Sequence, residues 1–331
     1  MRNTFLSLIL VAFWCVGATA EEPVIDYSAV AKSISTTMAA HHYNPAELVT
    51  PEYAAIEKAV CNLAQTAKTD EAFVDGFQEI WRDGPFSHVN LSKAQGAAED
   101  LAAFFDAMNV GENGATLAWK GDTAILTVNT MMGVDTIARI EAAYDEIHEK
   151  GAQKLIIDLR RNEGGAFAVR PLAGHLTRDA FIAGGFVSQP WNRAYDRKPT
   201  LEDMKSVDPW SGWSIRAFWA DAQSNPLTVA QFEPMAPLFD GPVFVLTSKR
   251  TASAAELVTD ALQASGRAKV IGERTAGQML SQKVYDIVGG FHLNVPIADY
   301  YSAANGRIEG VGVAPDIKIQ ASKAMDIALE L

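Results

Sequence analysis

The chain has 331 residues, of which 48% are hydrophobic and 21% charged, and its formal net charge is −12. This composition is that of a globular protein long enough to bury a full core in one large domain or two small ones. The excess of acidic residues disfavours nucleic acid and anionic membrane surfaces as partners.

The first 20 residues have the pattern of a secretory signal peptide. Arg2 supplies a positive charge, residues 6–16 form an apolar run, and residues 18–20 (ATA) offer a cleavage site of small residues. The run is shorter than the ~20 residues that a membrane-spanning helix needs. We therefore expect cleavage after Ala20, export to the periplasm or the medium, and no stable membrane insertion of the mature chain. Cys61 would be its single cysteine, so no internal disulfide is expected.

Residues 21–117 are predicted to form a small helical domain. Apolar residues recur at helical spacing in three stretches, around Val60, Phe77 and Phe104. After the second stretch, a D-G-P turn at 83–85 leaves Ser87 and His88 in a loop or short strand.

The neighbouring residues His41 and His42 fall within the predicted helical domain. Adjacent residues on a helix project about 100° apart, so the pair is not expected to share a metal ion. We expect these side chains to be solvated or to cap a helix. The sequence predicts no metal and no cofactor.

Residues 118–331 are predicted to form an α/β core, because strands and helices alternate. Residues 124–128 read as a strand, Asp135 is predicted to cap a helix, and residues 154–159 read as the next strand. This strand runs into Gly164-Gly165, a turn that allows backbone amides to approach a ligand closely.

The stretch 177–241 is less regular than its surroundings. It contains four tryptophans, Trp191, Trp210, Trp213 and Trp219. We interpret it as an excursion over the core that is either the wall or lid of a substrate pocket or a packed surface subdomain.

Ser253 lies where a strand meets a helix. Residues 243–246 form an apolar run rich in β-branched valine, and the apolar residues from Leu257 to Leu262 fall on one helical face. The first turn of a helix gathers free N–H groups and the positive end of the dipole, which would suit a serine nucleophile. The pattern also fits an S-x-x-E capping box, with Glu256 as its glutamate.

Further strands are predicted at 269–271 and 291–295. An Asn-Gly turn at 305–306 then leads into a segment that contains Arg307 and Glu309. The pattern alone predicts a solvated strand carboxylate for Glu309.

Three of these segments resemble motifs of the tail-specific, or C-terminal processing, serine protease family. Residues 251–256 match its T/S-A-S-A-[AS]-E motif, residues 266–277 its G-R-x-x-V-I-G-E-x-T-x-G motif, and residues 157–165 its I-D-L-R-x-N-x-G-G motif. The resemblance implies a crotonase-like core of ββα units behind a helical region. It implies Ser253 as the nucleophile, with oxyanion amides from Ala254 and from Gly164 or Gly165.

The family has two branches that differ in the general base. The larger branch uses a lysine at the position of Gln278 here, and an amide cannot act as a base, so a Ser-Lys dyad is excluded unless Lys283 takes over. The tricorn-like branch has a Ser-His pair ahead of the core and an E-G-x-G-V-x-P-D segment. The resemblance implies His88 as the base and Glu309 as its support, with Ser87 helping to hold the glutamate.

The function implied is that of an exported serine endopeptidase that cleaves peptide or protein substrates through a Ser-His-Glu triad and an acyl-enzyme. Only about thirty residues separate His88 from the first core strand, which leaves no room for the PDZ domain of many members, so their C-terminal-tail preference is not carried over. The main alternative is a non-catalytic binding protein for a retinoid or fatty acid, because the fold also resembles the repeats of interphotoreceptor retinoid-binding protein. A non-catalytic pseudoprotease is a third interpretation. The joint presence of Ser253, His88 and Glu309 favours the enzyme.

Overall fold

A computed structural model describes residues 25–212 and 214–331, so the predicted signal peptide and Trp213 lie outside the described residues. The α-helices of the described part are α1 (Tyr27–His41), α2 (Pro51–Thr66), α3 (Asp70–Trp81), α4 (Ala98–Ala107), α5 (Val134–Glu149), α6 (Val169–Gly174), α7 (Gln189–Ala194), α8 (Leu201–Lys205), α9 (Ile215–Ser224), α10 (Ala254–Ala264) and α11 (Ala324–Glu330). Short 3₁₀ helices cover Pro45–Val49, Gly111–Asn113 and Ala321–Lys323.

The strands of the described part fall into two sheets. They are β1 (Asn90–Lys93), β2 (Ala115–Lys120), β3 (Thr123–Val128), β4 (Lys154–Asp158), β5 (Phe181–Ser188), β6 (Leu227–Phe232), β7 (Val243–Thr247), β8 (Lys269–Gly272), β9 (Ser281–Ile287), β10 (Phe291–Ser302), β11 (Gly306–Arg307) and β12 (Ile317–Lys318).

The first sheet has the order β12-β8-β7-β4-β3-β2, parallel from β12 to β3, with β2 antiparallel at its edge. The inner residues of its central strands β4 and β7 are apolar, as expected of a parallel sheet covered on both faces. Leu155 and Ile157 of β4 pack in the main core cluster with α5, α6 and α10, whereas Ile156 packs on the opposite face with Ala324 and Ala328 of α11.

The second sheet is antiparallel and is built around the twelve-residue strand β10. Strands β1, β5, β9 and β11 all pair with β10, and β6 pairs with β5. Helices α1, α2 and α3 pack on this sheet, where Met38, Val60 and Phe77 share a cluster with Leu293 and Val295 of β10. The N-terminal helices are therefore fixed to a strand that lies more than 200 residues later in the chain.

The predicted α/β class and the N-terminal helices are confirmed. The expected role of Asp135 is wrong: α5 begins at Val134 after Gly133, and the Asp135 carboxylate accepts the amides of Val110 and Gly111 in another loop. Of the two roles expected for the histidine pair, solvation is wrong for His42, which stands instead at the C-cap position of α1. His42 is fully buried, its pKa is lowered to about 4 by burial, and its Nδ1 lies 3.1 Å from the carbonyl oxygen of Asn44.

The stretch 177–241 contains more regular structure than predicted, since it carries β5, β6, α7, α8 and α9. Its short strands and helices were hidden by the mixture of aromatic, proline and polar residues. Among the residues that the structure describes, no helix combines the length and the apolar character that crossing a membrane requires.

Candidate active site

Two loops of the first sheet meet at Ser253. Strands β4 and β7 are parallel neighbours, so the segments that follow them emerge at the same edge. Side chains join the two segments: Thr251 Oγ1 donates to the Leu159 carbonyl oxygen at 2.9 Å, and Ser248 Oγ to that of Arg160 at 2.5 Å. The Ala252 amide donates to the Asn162 carbonyl oxygen at 3.0 Å. Ser253 is thereby held beside the loop that carries Gly164 and Gly165, which we call the glycine loop.

Ser253 is the N-cap of α10 and has a strained backbone, with φ 55° and ψ −124°. Among the described residues, the non-glycine residues with positive φ are Ser253 and His88, whose φ is 64°. Such conformations are unfavourable for residues with a side chain and cluster at functional sites. The sequence analysis had singled out the same two side chains on other grounds.

The buried side chain of Glu256 connects the turn at Ser253 to a third loop, residues 275–278. Its carboxylate accepts the Ser253 amide at 3.0 Å, which is the glutamate half of the expected capping box. It also accepts the Thr275 hydroxyl at 2.5 Å and the amides of Gly277 and Gln278 at 2.8 and 2.9 Å. Burial raises the pKa of Glu256, and these four hydrogen bonds oppose that shift. The sequence pattern indicates Glu256 only as a local cap and does not reveal its contacts with the distant loop.

The glycine loop lies directly against the serine. A side chain at Gly164 would place its Cβ 2.6 Å from the Ser253 Cβ, and the φ of 101° at Gly164 also favours glycine. The Gly164 amide donates to Asn162 Oδ1 at 2.8 Å, and the Asn162 Nδ2 donates to the Val128 carbonyl oxygen at 3.0 Å. Asn162 is fully buried. It is a structural support that the sequence analysis missed, although an asparagine just before Gly-Gly signals a side chain that bonds to its own turn.

The amides that could hold an oxyanion are those of Gly165 and Ala254. Because the Gly164 amide is bound to Asn162, it is engaged within the protein. Within the described residues, neither the Gly165 amide nor the Ala254 amide at the start of α10 has a recorded acceptor. Both residues line the cavity that Ser253 faces. Free amides at a helix start and a glycine turn are suited to a developing negative charge.

His88 reaches this cavity from the N-terminal region. It stands two residues before β1, whose Leu91 pairs with Leu293 of β10. The Ser87 hydroxyl lies 2.5 Å from His88 Nδ1, and the Ser87 amide donates to Glu309 Oε1 at 3.3 Å. Glu309 also accepts the Met279 amide at 2.6 Å. Ser87, His88 and Glu309 thus form one connected group, and His88 lines the same cavity as Ser253.

Glu309 is buried in a turn, so the interpretation as a solvated strand carboxylate is wrong. Its recorded hydrogen bonds run to backbone amides of Ser87 and Met279. Burial lowers the pKa of His88, and the negative charge of Glu309 raises it in part. The glutamate therefore acts on the imidazole through charge, while the Ser87 hydroxyl contacts the ring directly.

The site opens into a cavity of about 590 Å³. Ser253, His88, Gly164, Gly165 and Ala254 line it. Much of the remaining lining is aromatic. Within the stretch 177–241 these side chains are Phe186, Trp210, Phe218, Trp219 and Phe232, and outside it they are Phe105 and Phe167. Of the four tryptophans in this stretch, Trp210 and Trp219 therefore line the cavity, whereas Trp191 packs elsewhere with Val187 and Met204.

The alternative base Lys283 lies away from this cavity. Its Nζ donates to Gln223 Oε1 at 2.7 Å and stands over the Tyr285 ring. Gln278, at the position of the lysine in the larger branch, donates its backbone N–H to Glu256 Oε2 at 2.9 Å. Across residues 25–212 and 214–331, no three histidine, cysteine, aspartate or glutamate side chains are grouped to hold a metal ion.

A serine at a strained strand-to-helix turn, with two amides that lack an acceptor beside it and a histidine lining the same cavity, provides the groups that serine hydrolases use. The comparison with protein families narrows this class. The model of peptidase family S41 matches residues 122–319, which is more than half of the chain. The chain belongs to peptidase family S41, as its sequence motifs had indicated.

Curated relatives are carboxyl-terminal-processing peptidases. A carboxyl-terminal-processing protease of Picosynechococcus is 30% identical over an alignment of 214 residues that covers 60% of this chain and 49% of the relative. The chloroplastic carboxyl-terminal-processing peptidase 2 of Arabidopsis thaliana is 40% identical over 187 residues, 56% of this chain and 30% of the relative. The chain thus spans about half or less of the length of these relatives.

Solved structures share the fold at low sequence identity. A peptidase from Parabacteroides merdae superposes with a TM-score of 0.60 at 13% identity, covering 89% of this chain and 90% of that one. The photosystem II D1 C-terminal processing protease gives a TM-score of 0.54 at 15% identity, with coverage of 90% and 94%. These similarities establish the α/β fold with its N-terminal helices.

Proposed function

We propose that this protein is an exported serine endopeptidase that uses Ser253 as the nucleophile and His88 as the general base. The observation that carries the proposal is the convergence of these two residues on one cavity, each with a strained backbone. They come from regions 165 residues apart in the sequence. Strain of this kind persists only where the surrounding structure imposes it.

The residues around the pair supply the remaining roles. In the tautomer that the reaction needs, the His88 Nδ1–H donates to the Ser87 hydroxyl oxygen, and Nε2 is then the ring nitrogen that accepts the Ser253 proton. The Ser253 oxygen then bonds to the substrate carbonyl carbon, and the amides of Gly165 and Ala254 bind the oxyanion. Protonated His88 is stabilised by the Glu309 charge and gives its proton to the leaving amine. Water attacks the resulting acyl-enzyme by the same route.

Peptide cleavage by purified variants tests this proposal. We expect Ser253→Ala and His88→Ala to lower turnover of an unfolded protein substrate by about 10⁴ to 10⁶. Ser265→Ala, at the other end of α10, and His148→Ala, on an exposed face of α5, are matched controls that should keep wild-type turnover. Equal activity of wild type and Ser253→Ala would contradict the proposal.

The aromatic cavity also favours a second candidate, a binding protein for an apolar ligand such as a retinoid or a fatty acid. Clefts of about 300–1,000 Å³ with apolar lining are typical of small-ligand sites. Tight binding of retinol or oleate by the wild type, together with turnover no greater than that of Ser253→Ala, would favour this candidate. Cleavage that depends on Ser253 favours the peptidase.

A further inference from the structure

The cavity beside Ser253 has a continuous aromatic wall. The rings of Phe167 and Trp210 stack with centroids 5.4 Å apart, Trp210 and Phe218 meet edge to face at 5.4 Å, and Phe218 and Phe186 meet edge to face at 5.1 Å. All four side chains line the cavity. Such rings bind apolar groups through a large contact area at fixed geometry.

This wall begins at the loop that supplies an oxyanion amide. Phe167 lies two residues after Gly165 in the sequence. A substrate carbonyl oxygen held by the amides of Gly165 and Ala254 belongs to the residue on the acyl side of the bond that is cleaved. The side chain of that residue would therefore lie closest to Phe167 and the rings that follow it.

Two polar side chains along the wall, Thr228 and Arg170, are engaged within the protein. Thr228 Oγ1 donates to Asp221 at 2.5 Å, and Arg170 donates to the carbonyl oxygens of Trp210 and Ser211 at 2.8 Å each. The charged residues Arg161 and Glu163 also line the cavity, but they are exposed. An incoming side chain consequently meets mainly apolar surface.

We propose that this cavity is the subsite for the acyl-side residue and that it selects a bulky apolar side chain, either aromatic or long aliphatic. The inference rests on the proposed peptidase function and adds a substrate class to it. The size of the cavity, about 590 Å³, can accommodate a large side chain. Burial of such a group on the aromatic wall supplies the selectivity.

Peptides that differ only in the acyl-side residue test the subsite. We expect kcat/KM to be at least about tenfold higher for phenylalanine or leucine than for alanine, and lower still for glutamate. In Ala230→Phe a ring replaces a methyl group that lines the cavity, so the phenylalanine-to-alanine ratio should fall at least about tenfold. Phe218→Ala, which removes part of the wall, should lower the same ratio.

Tyr195→Ala is the matched control. Tyr195 belongs to the same stretch of chain, is exposed, and packs at a tilt against Trp191, which does not line the cavity. The phenylalanine-to-alanine ratio of kcat/KM in Tyr195→Ala should equal that of the wild type. A wild-type ratio near one, or a ratio that Ala230→Phe and Phe218→Ala leave unchanged, would overturn the subsite.

Binding to Ser253→Ala separates the subsite from the chemistry. Because Trp210 and Trp219 line the cavity, tryptophan fluorescence reports its occupancy. We expect acetyl-Ala-Ala-Phe-amide to bind at least about tenfold more tightly than acetyl-Ala-Ala-Ala-amide. Equal binding would overturn the subsite even if the wild type cleaves peptides. Selective binding by a protein without peptidase activity would support an apolar subsite and contradict the proposed reaction.

Discussion

Backbone strain marks the two residues to which we assign the chemistry. Ser253 and His88 both have positive φ, and each is held by contacts that arise elsewhere. Glu256 binds the Ser253 amide, and Glu309 binds the amide of Ser87, which precedes the histidine. Two buried carboxylates thus fix the backbone on either side of the proposed proton transfer.

Glu309→Gln tests the electrostatic role of the second carboxylate. Burial lowers the pKa of His88 and the charge of Glu309 raises it, so removal of the charge should lower this pKa further. A general base must be neutral, and the acidic limb of the kcat/KM profile should therefore move to lower pH. The plateau should fall at least about tenfold because the imidazolium loses its counter-charge. A shift of the acidic limb to higher pH would contradict this role. Glu149→Gln, on an exposed helix face, is the control and should leave the profile unchanged.

Glu256→Gln tests the first carboxylate. Each of its oxygens accepts two hydrogen bonds, so a glutamine NH₂ in place of one oxygen leaves two donors without an acceptor. We expect the free energy of unfolding to fall by about 2 kcal/mol or more, measured by urea denaturation, and turnover to fall with it. The exposed residue Glu141 offers the control Glu141→Gln. Wild-type stability of Glu256→Gln would show that the carboxylate does not hold the loops together.

The motifs name the proposed site residues, but they carry little information about the contacts of these residues. Gly164 and Gly165 could not be distinguished as oxyanion donors from the sequence because both follow the same strand. The difference comes from Asn162, whose side chain binds one of the two amides. The link from Ser87 to Glu309 spans 222 residues, so no local pattern reveals it.

At the level of elements, a buried polar cluster ties the N-terminal region to β10. Arg307 Nε donates to Asp299 Oδ2 at 2.6 Å, Arg307 Nη2 to the Tyr43 hydroxyl at 3.0 Å, and that hydroxyl to Glu47 at 2.7 Å. Asp299 is buried, which raises its pKa to about 6, while Arg307 lowers this pKa. Arg307 of this cluster lies two residues before Glu309.

Arg307→Met should destabilise the protein more at pH 8 than at pH 5. Without the guanidinium, the pKa of Asp299 in the folded state rises further above its value in the unfolded chain. When a carboxyl has a higher pKa in the folded state than in the unfolded chain, the protein becomes less stable as the pH rises towards the folded-state pKa. The folded state must then bury a charge. We expect the loss in urea denaturation to be larger at pH 8 by about 1 kcal/mol or more. Arg82→Met, which breaks an exposed pair with Glu79, should show no such difference.

Long apolar elements were predictable and short paired ones were not. Strands β4 and β7 are buried on both faces and therefore read as apolar runs. Strand β1 has four residues, of which Leu91 alone is buried, and it exists because β10 offers it a partner. Pairing between such distant segments leaves no periodic signal in either one.

For the whole molecule, the proposed export rests on residues 1–20. If these residues are a cleaved signal peptide, the mature protein begins at Glu21. Expression of the full chain in a bacterium, followed by cell fractionation and N-terminal sequencing, should place a product that starts at this residue outside the cytoplasm. An uncleaved chain in the cytoplasm would contradict the proposal, and deletion of residues 2–20 is the control.

The central claim is that folding activates the hydroxyl of Ser253 through His88. Mass spectrometry of the native protein after treatment with a fluorophosphonate measures this most directly. The account predicts one phosphonyl group on the peptide that contains Ser253, strongly reduced labelling in His88→Ala, and none in protein unfolded with urea. Labelling at another residue, or equal labelling of Ser253 in the native wild type and in His88→Ala, would contradict it.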